Sequence, residues 1–126
     1  MKATISAILI LVTICSLSYF TREYTIKVSD ILEENISQCD SFVRENDWKN
    51  AEAYVKKARW VFSEKSNVLE SFLIHEDIER LSDILTNIEI SIKDKDTTAA
   101  SSNIEIFRRR LLELTESDKI TLNNIL

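Results

Sequence analysis

The one histidine of this chain, His75, stands beside Glu76 and one helical turn before Glu79. Histidine nitrogen and carboxylate oxygen at that spacing are donors that zinc accepts. The same imidazole can also serve as a base or titrate near neutral pH. Two donors on one turn do not make a centre, however, and no second histidine or usable cysteine completes the set. The structural alternative is a histidine at a helix junction, bonded to a backbone group or a carboxylate. His75, Glu76 and Glu79 are thus the positions a metal would use, while no cofactor and no catalytic residue is assigned. Nucleophilic catalysis needs a positioned base and an oxyanion pocket, and no motif places a serine or cysteine beside His75. Adjacent carboxylates such as Glu33-Glu34 and Glu76-Asp77 follow from an acidic composition. Acid–base hydrolysis would need two carboxylates facing each other across a cleft, which a small helical bundle rarely leaves. The chain is not expected to be an enzyme.

Contact chemistry has other candidates. Trp60 lies roughly 160° around a helix from the apolar position Phe62, and with Val61 it forms a second apolar strip. That strip either packs on the first or last helix or meets a partner. Trp48 falls on the main apolar face and is expected in the core. Arg108, Arg109 and Arg110 fan over about 200° of a helix. They read as a solvated flank or, at Arg108 and Arg109, as contacts for an acidic partner.

The elements that position these residues must be helices. The chain has 126 residues with no glycine and no proline, where average usage would supply roughly nine and six. Glycine-cradled phosphate loops, dinucleotide fingerprints and Asn-Gly hairpins are therefore excluded. Beyond residue 20 stand 15 basic and 21 acidic residues, net −6. That balance argues against nucleic acid, whose phosphates require a basic face, and against broad adhesion to anionic lipid.

Residues 3–20, ATISAILILVTICSLSYF, carry no charge and as a helix span about 27 Å. Tyr19 and Phe20 suit a membrane interface, and Arg22, Glu23 and Lys27 return the chain to water. A retained signal-anchor is expected. A cleaved signal peptide has Ser16-Leu17-Ser18 in its favour, but the apolar run exceeds the usual h-region. A lipoprotein signal fails at Ile14, where a small residue should precede Cys15. Lys2 and the α-amino group favour a cytoplasmic N-terminus, against Arg22 and Lys27 on the other flank. The following domain is expected outside the cytoplasm. Cys15 lies in the apolar run and Cys39 on a later apolar face, so no disulfide joins them.

Beyond the anchor, apolar residues recur at alternating steps of three and four. One helix reads Leu32, Ile36, Cys39, Val43, with Tyr24, Val28 and Ile31 upstream. The next reads Trp48, Ala51, Val55, Ala58, Phe62, continuing to Leu69 and Phe72. A third reads Ile78, Leu81, Leu85, Ile88, Ile92, and a fourth Ala100, Ile104, Phe107, Leu111, Leu114. Asp47 caps the second helix and Asp96 or Thr97 the fourth. The middle break falls near Ser66-Asn67 or at Ile74-His75, and Ser117 could cap a short last turn carrying Ile120 and Ile125. A shift of 49 residues superimposes the two halves. Repeated hairpins explain this, as does the heptad pattern that any two hairpins share. The expected fold is all-α: a transmembrane helix (1–22) followed by an antiparallel four-helix bundle (23–126).

In order, these residues comprise an N-terminal anchor, an acidic helix, ENDWKNAEAYVKKARWVF, FLIHEDIERLSDIL, a KDKD turn and a closing ITLNNIL. The chain resembles, over nearly its whole length, the small Firmicute proteins grouped as domain of unknown function 4363. Asp47-Trp48, His75-Glu76 and the Asn124-Ile125 ending carry the resemblance most specifically. It implies a bacterial membrane-anchored protein, encoded beside a multi-pass membrane protein, and it supplies no activity. The reading that follows is a non-enzymatic interaction or accessory module. It is held in the cell membrane by residues 3–20 and partnered by a multi-pass membrane protein. The alternatives are an extracytoplasmic bundle that senses a small molecule between its helices and a metal-dependent enzyme centred on His75.

Overall fold

Without glycine or proline nothing interrupts the helical stretches, and the described residues of the computed structural model form four helices: α1 (Lys2–Arg44), α2 (Trp48–Glu70), α3 (His75–Lys93) and α4 (Thr97–Ile125). Phe72, Ile74 and Leu126 lie outside the described residues, as do the side chains of residues 116–125. The expected packing of Phe72, Ile120 and Ile125 falls there.

The expected anchor does not form a helix of its own. The apolar run is the first half of the 43-residue α1, whose second half belongs to the bundle. Arg22, Glu23 and Lys27 change the polarity of the chain but are all compatible with a helix interior. The hydroxyls at the crossing bond back along the same helix, Thr21 Oγ1 to the Ser18 carbonyl at 3.0 Å and Thr25 Oγ1 to the Thr21 carbonyl at 2.8 Å. One open expectation is decided and one changes. Of the alternatives for the middle break, α3 begins at His75 and α2 runs on past Ser66-Asn67. Ser117 lies within α4 rather than capping a new turn.

Each helix packs on two neighbours. α1 lies against α2 and α4, and α3 against the same two. The hairpin turns that close α1–α2 and α3–α4 meet at one end, where Thr97 Oγ1 donates to Asn46 Oδ1 at 3.3 Å. Counting outward from the turns places core residues at common depths. Val43, Ala51, Ile92 and Ala100 form the first layer, and Cys39, Val55, Ile88 and Ile104 the second. Ile36, Ala58, Leu85 and Phe107 form the third, then Leu32, Phe62, Leu81 and Leu111. None is more than 4% exposed. Small residues share a layer with large ones, Ala58 with Phe107, which is how facing positions interdigitate.

The two turns have the same hydrogen bonds 49 residues apart. Asp47 N donates to the Phe42 carbonyl and Asn46 N to that of Val43. Asp96 N donates to the Ser91 carbonyl and Lys95 N to that of Ile92. This is the Schellman closure, which needs a left-handed residue. With no glycine in the chain, Asn46 (φ 58°) and Lys95 (φ 55°) take that conformation. Asp47 and Asp96 then cap the next helices, accepting from Asn50 N at 3.3 Å and Ala99 N at 3.1 Å. The two hairpins are thus one geometry used twice.

Trp48 is half-buried at the first position of α2 and packs on the core from its edge, rather than within it. Ile31 is exposed, because it falls on the outer side of α1, away from the stripe of Val28, Leu32 and Ile36.

Candidate functional site

The largest apolar surface is the first half of α1. Its most apolar window has a mean hydropathy of 2.1 and no buried residue. Ile8, Leu11, Ile14 and Leu17 are all more than half exposed, and Tyr19 and Phe20 about two-thirds exposed. Burial begins at Thr25. The protruding stretch Lys2–Glu23 is about 33 Å long, the thickness of a bilayer core. The Thr13 hydroxyl bonds to the Leu9 carbonyl at 2.8 Å, so its polar hydrogen is satisfied within the helix, as hydrocarbon requires. By length and composition this helix can cross a membrane, a property it shares with signal sequences. It leaves the bundle at the end opposite the two turns.

His75 opens α3 with an exposed side chain between two carboxylates. Its Nδ1 is 3.4 Å from Glu70 and its Nε2 is 2.9 Å from Glu79. It therefore bridges the end of α2 and the first turn of α3, which is the junction role. Glu76 turns away to Arg80 at 2.9 Å, so His75, Glu76 and Glu79 do not converge. Among the described residues no group of three or more His, Cys, Asp or Glu side chains is arranged to hold a metal ion.

The contact candidates separate. Trp60 is 66% exposed and points away from the core, whereas its neighbour Val61 is partly buried against it. Arg108 reaches across to α1, where Glu33 Oε1 accepts from its Nε at 2.9 Å and its Nη2 at 2.8 Å. The Glu33 carboxylate raises the pKa of the Arg108 guanidinium. Arg109 is exposed, and Arg110 pairs with Glu113 at 3.3 Å. The triplet thus divides among three directions.

One arrangement escaped the sequence. Arg59, half-buried between α2 and α3, donates to Glu89 at 2.6 Å, to Ser82 Oγ at 3.1 Å and to Thr86 Oγ1 at 2.7 Å. The available signal was the polar stripe Ser82, Thr86, Glu89 at helical spacing on α3. Beside it, toward the turns, lies an open groove of about 700 Å³ between α2 and α3. Trp48, Val55, Ile90 and Ile92 supply its apolar walls, and Lys49, Lys56, Lys93 and Lys95 surround them. A smaller hollow of about 200 Å³ lies between α3 and α4, lined by Arg80, Arg110, Asp77 and Glu113.

Both cysteines are free. Cys39 is fully buried, its thiol donating to the Ala51 carbonyl at 3.4 Å. Desolvation, with the neighbouring Asp40 charge, pushes its pKa up to about 12. A thiol held neutral this way is an inert core residue.

A family model described as "Domain of unknown function (DUF4363)" matches residues 19–125. No curated protein and no solved structure matches the chain.

Proposed function

The chain belongs to the DUF4363 family, and from that membership we propose that it is a non-enzymatic, membrane-anchored interaction module, accessory to a multi-pass membrane protein. The observation that carries this reading is the continuity of α1: one helix is apolar on all sides over its first half and buried along a single stripe over its second. A helix without a break transmits position and orientation, so the bundle stands at a set height and angle above the bilayer. Confinement to the same membrane raises the local concentration of a partner, and modest contacts then suffice. Trp60, exposed on the outer side of α2, is the contact with the largest area to bury, and Arg109 is a cation without a partner among the described residues. In this reading the bundle lies outside the cytoplasm, with Lys2 on the inner flank of the apolar run and Arg22 and Lys27 opposing it on the outer flank.

The experiment is a crosslinking pull-down of the full-length chain from its native membrane. It should recover a multi-pass membrane protein, and Trp60→Ala should reduce the yield several-fold. Recovery of a lone monomer in mild detergent and after crosslinking would contradict the proposal.

The metal-enzyme reading loses support from the divergence of Glu76 toward Arg80. The ligand-sensing reading draws support from the groove on the outside between α2 and α3.

A further inference from the structure

The 49-residue repetition provides an internal control for that groove. Core positions keep their character in both hairpins, as with Val55 and Ile104, or Ile92 and Val43. Five of the groove positions do not. Trp48, Lys49 and Lys56 of α2 correspond to Thr97, Thr98 and Glu105 of α4. Ile90 and Lys95 of α3 correspond to Ser41 and Asn46 of α1. Lys93 of α3 corresponds to Arg44 of α1, a cation as well, but Arg44 pairs with Asp40 at 3.1 Å. The seam between α4 and α1 is therefore hydroxylated where Trp48, Lys49 and Ile90 stand in the other, and its arginine is paired. Hairpin geometry requires neither set, because both hairpins close with the same turn.

Charges in the groove are unevenly satisfied. Its two carboxylates are engaged: Glu52 with Lys56 at 2.8 Å, and Glu89 with Arg59 at 2.6 Å. The pairing lowers the pKa of Glu52 and raises that of Lys56. Lys49, Lys93 and Lys95 remain exposed, with no ion-pair partner among the described residues. Three unpaired ammonium groups thus surround the exposed side of Ile90 and the edge of Trp48, in a domain whose net charge is negative. An opening of about 700 Å³ is of the size that holds a small molecule.

The geometry points to a binding site for a small anionic amphiphile, a molecule with one acidic head group and an apolar body. Its body lies on Trp48 and Ile90, and its head group meets Lys49 and Lys93. The site is at the turn end of the bundle, about 30 Å along α1 from the apolar segment, so it takes its ligand from solution rather than from the plane of a bilayer. It stands independently of the partner proposed above, because Trp60 does not line it.

The test uses the full chain in phosphatidylcholine nanodiscs, with Trp60→Phe so that fluorescence reports Trp48 alone. Octanoate and naphthalene-2-carboxylate are titrated as the acyl and aromatic forms of the ligand chemistry, with octanamide as the neutral control and empty nanodiscs as the blank. A saturable change with either acid is expected. Binding should be about tenfold weaker for octanamide and for the Lys49→Gln/Lys93→Gln variant, whose unchanged helicity and melting temperature confirm the fold. No saturable change with either acid overturns the site, as does equal binding of octanamide or equal binding by the double variant. Binding of an acidic peptide but of neither small acid also overturns it.

Discussion

The two halves of α1 are made of the same secondary structure and obey opposite rules. From Ala3 to Leu17 the helix carries no charge and every residue is exposed. From Tyr24 to Arg44 the apolar residues gather on one stripe, and its line of Val28, Leu32, Ile36, Cys39 and Val43 is buried. The comparison separates two meanings of hydrophobicity. A stripe is satisfied by two neighbouring helices, whereas a full cylinder is satisfied only by an apolar solvent. Mutations in one half should therefore leave the property of the other untouched.

The largest expected effect is in the bundle. Phe107, fully buried beside Ala58 in the third layer, has no small-residue substitute that refills its volume. Phe107→Ala should cost about 3–5 kcal/mol of bundle stability, read by thermal or urea unfolding, while the fraction of chain in the membrane stays constant. Leu11→Arg is the converse. It should cost about 2.5–3.5 kcal/mol of apparent insertion free energy in a translocation assay, with no change in the unfolding midpoint of the bundle. If either variant moved both readouts, the two halves would not be independent.

Smaller effects sharpen the comparison of the two turns. Lys95 holds a left-handed backbone that its Cβ disfavours, and Asn46 holds the same conformation with a side chain that tolerates it. Lys95→Gly should stabilise the bundle by about 1 kcal/mol and Asn46→Gly by less, both measured by chemical denaturation. Equal gains would mean that the side chains, not the backbone, set the cost.

Cys39 supplies a pH dependence. Its thiol pKa rises from 9.0 to about 12 on burial, so the folded state holds the proton more tightly than the unfolded one. Its contribution is complete below about pH 9 and is lost as pH climbs toward 12. Between these limits stability should fall less steeply in Cys39→Ala than in the parent chain. At pH 8 a maleimide should label Cys39 only on unfolding.

The sequence made the buried stripe legible because heptad spacing records burial directly. Leu32 through Val43, Ile78 through Ile92 and Ala100 through Leu114 could all be read from period alone. Asp47 and Asp96 were legible as caps. The end of α2 was not, because without glycine or proline the stretch from Ser66 to His75 carries no marker of where a helix stops. Nor was the continuity of α1, since a change in polarity at Arg22 looks like a boundary whether or not the backbone turns. Contacts between distant residues were also hidden. Arg59 with Glu89, and Arg108 with Glu33, need the order of helices around the bundle before either pair can be drawn. Trp48 has a core-facing position in the heptad, but its place at the first residue of α2 leaves one edge open to the groove. The Lys49 and Lys93 rim became meaningful only when the other seam showed Thr98 in place of Lys49, and an Arg44 paired with Asp40 in place of the unpaired Lys93.

The continuity of α1 is tested most directly by nitroxide scanning of the full chain in phosphatidylcholine vesicles, in a Cys15→Ser/Cys39→Ala background. Collision rates with oxygen and with a water-soluble nickel chelate would be measured at successive positions from Ile5 to Ile36. Positions up to Leu17 should be open to oxygen and closed to nickel on every side. Positions from Tyr24 onward should alternate with a period of 3.6 residues, in unbroken phase through Ser18–Glu23. Nickel access along Ile5–Leu17, or a loss of helical phase between Ser18 and Glu23, would contradict a single helix shared by membrane and bundle.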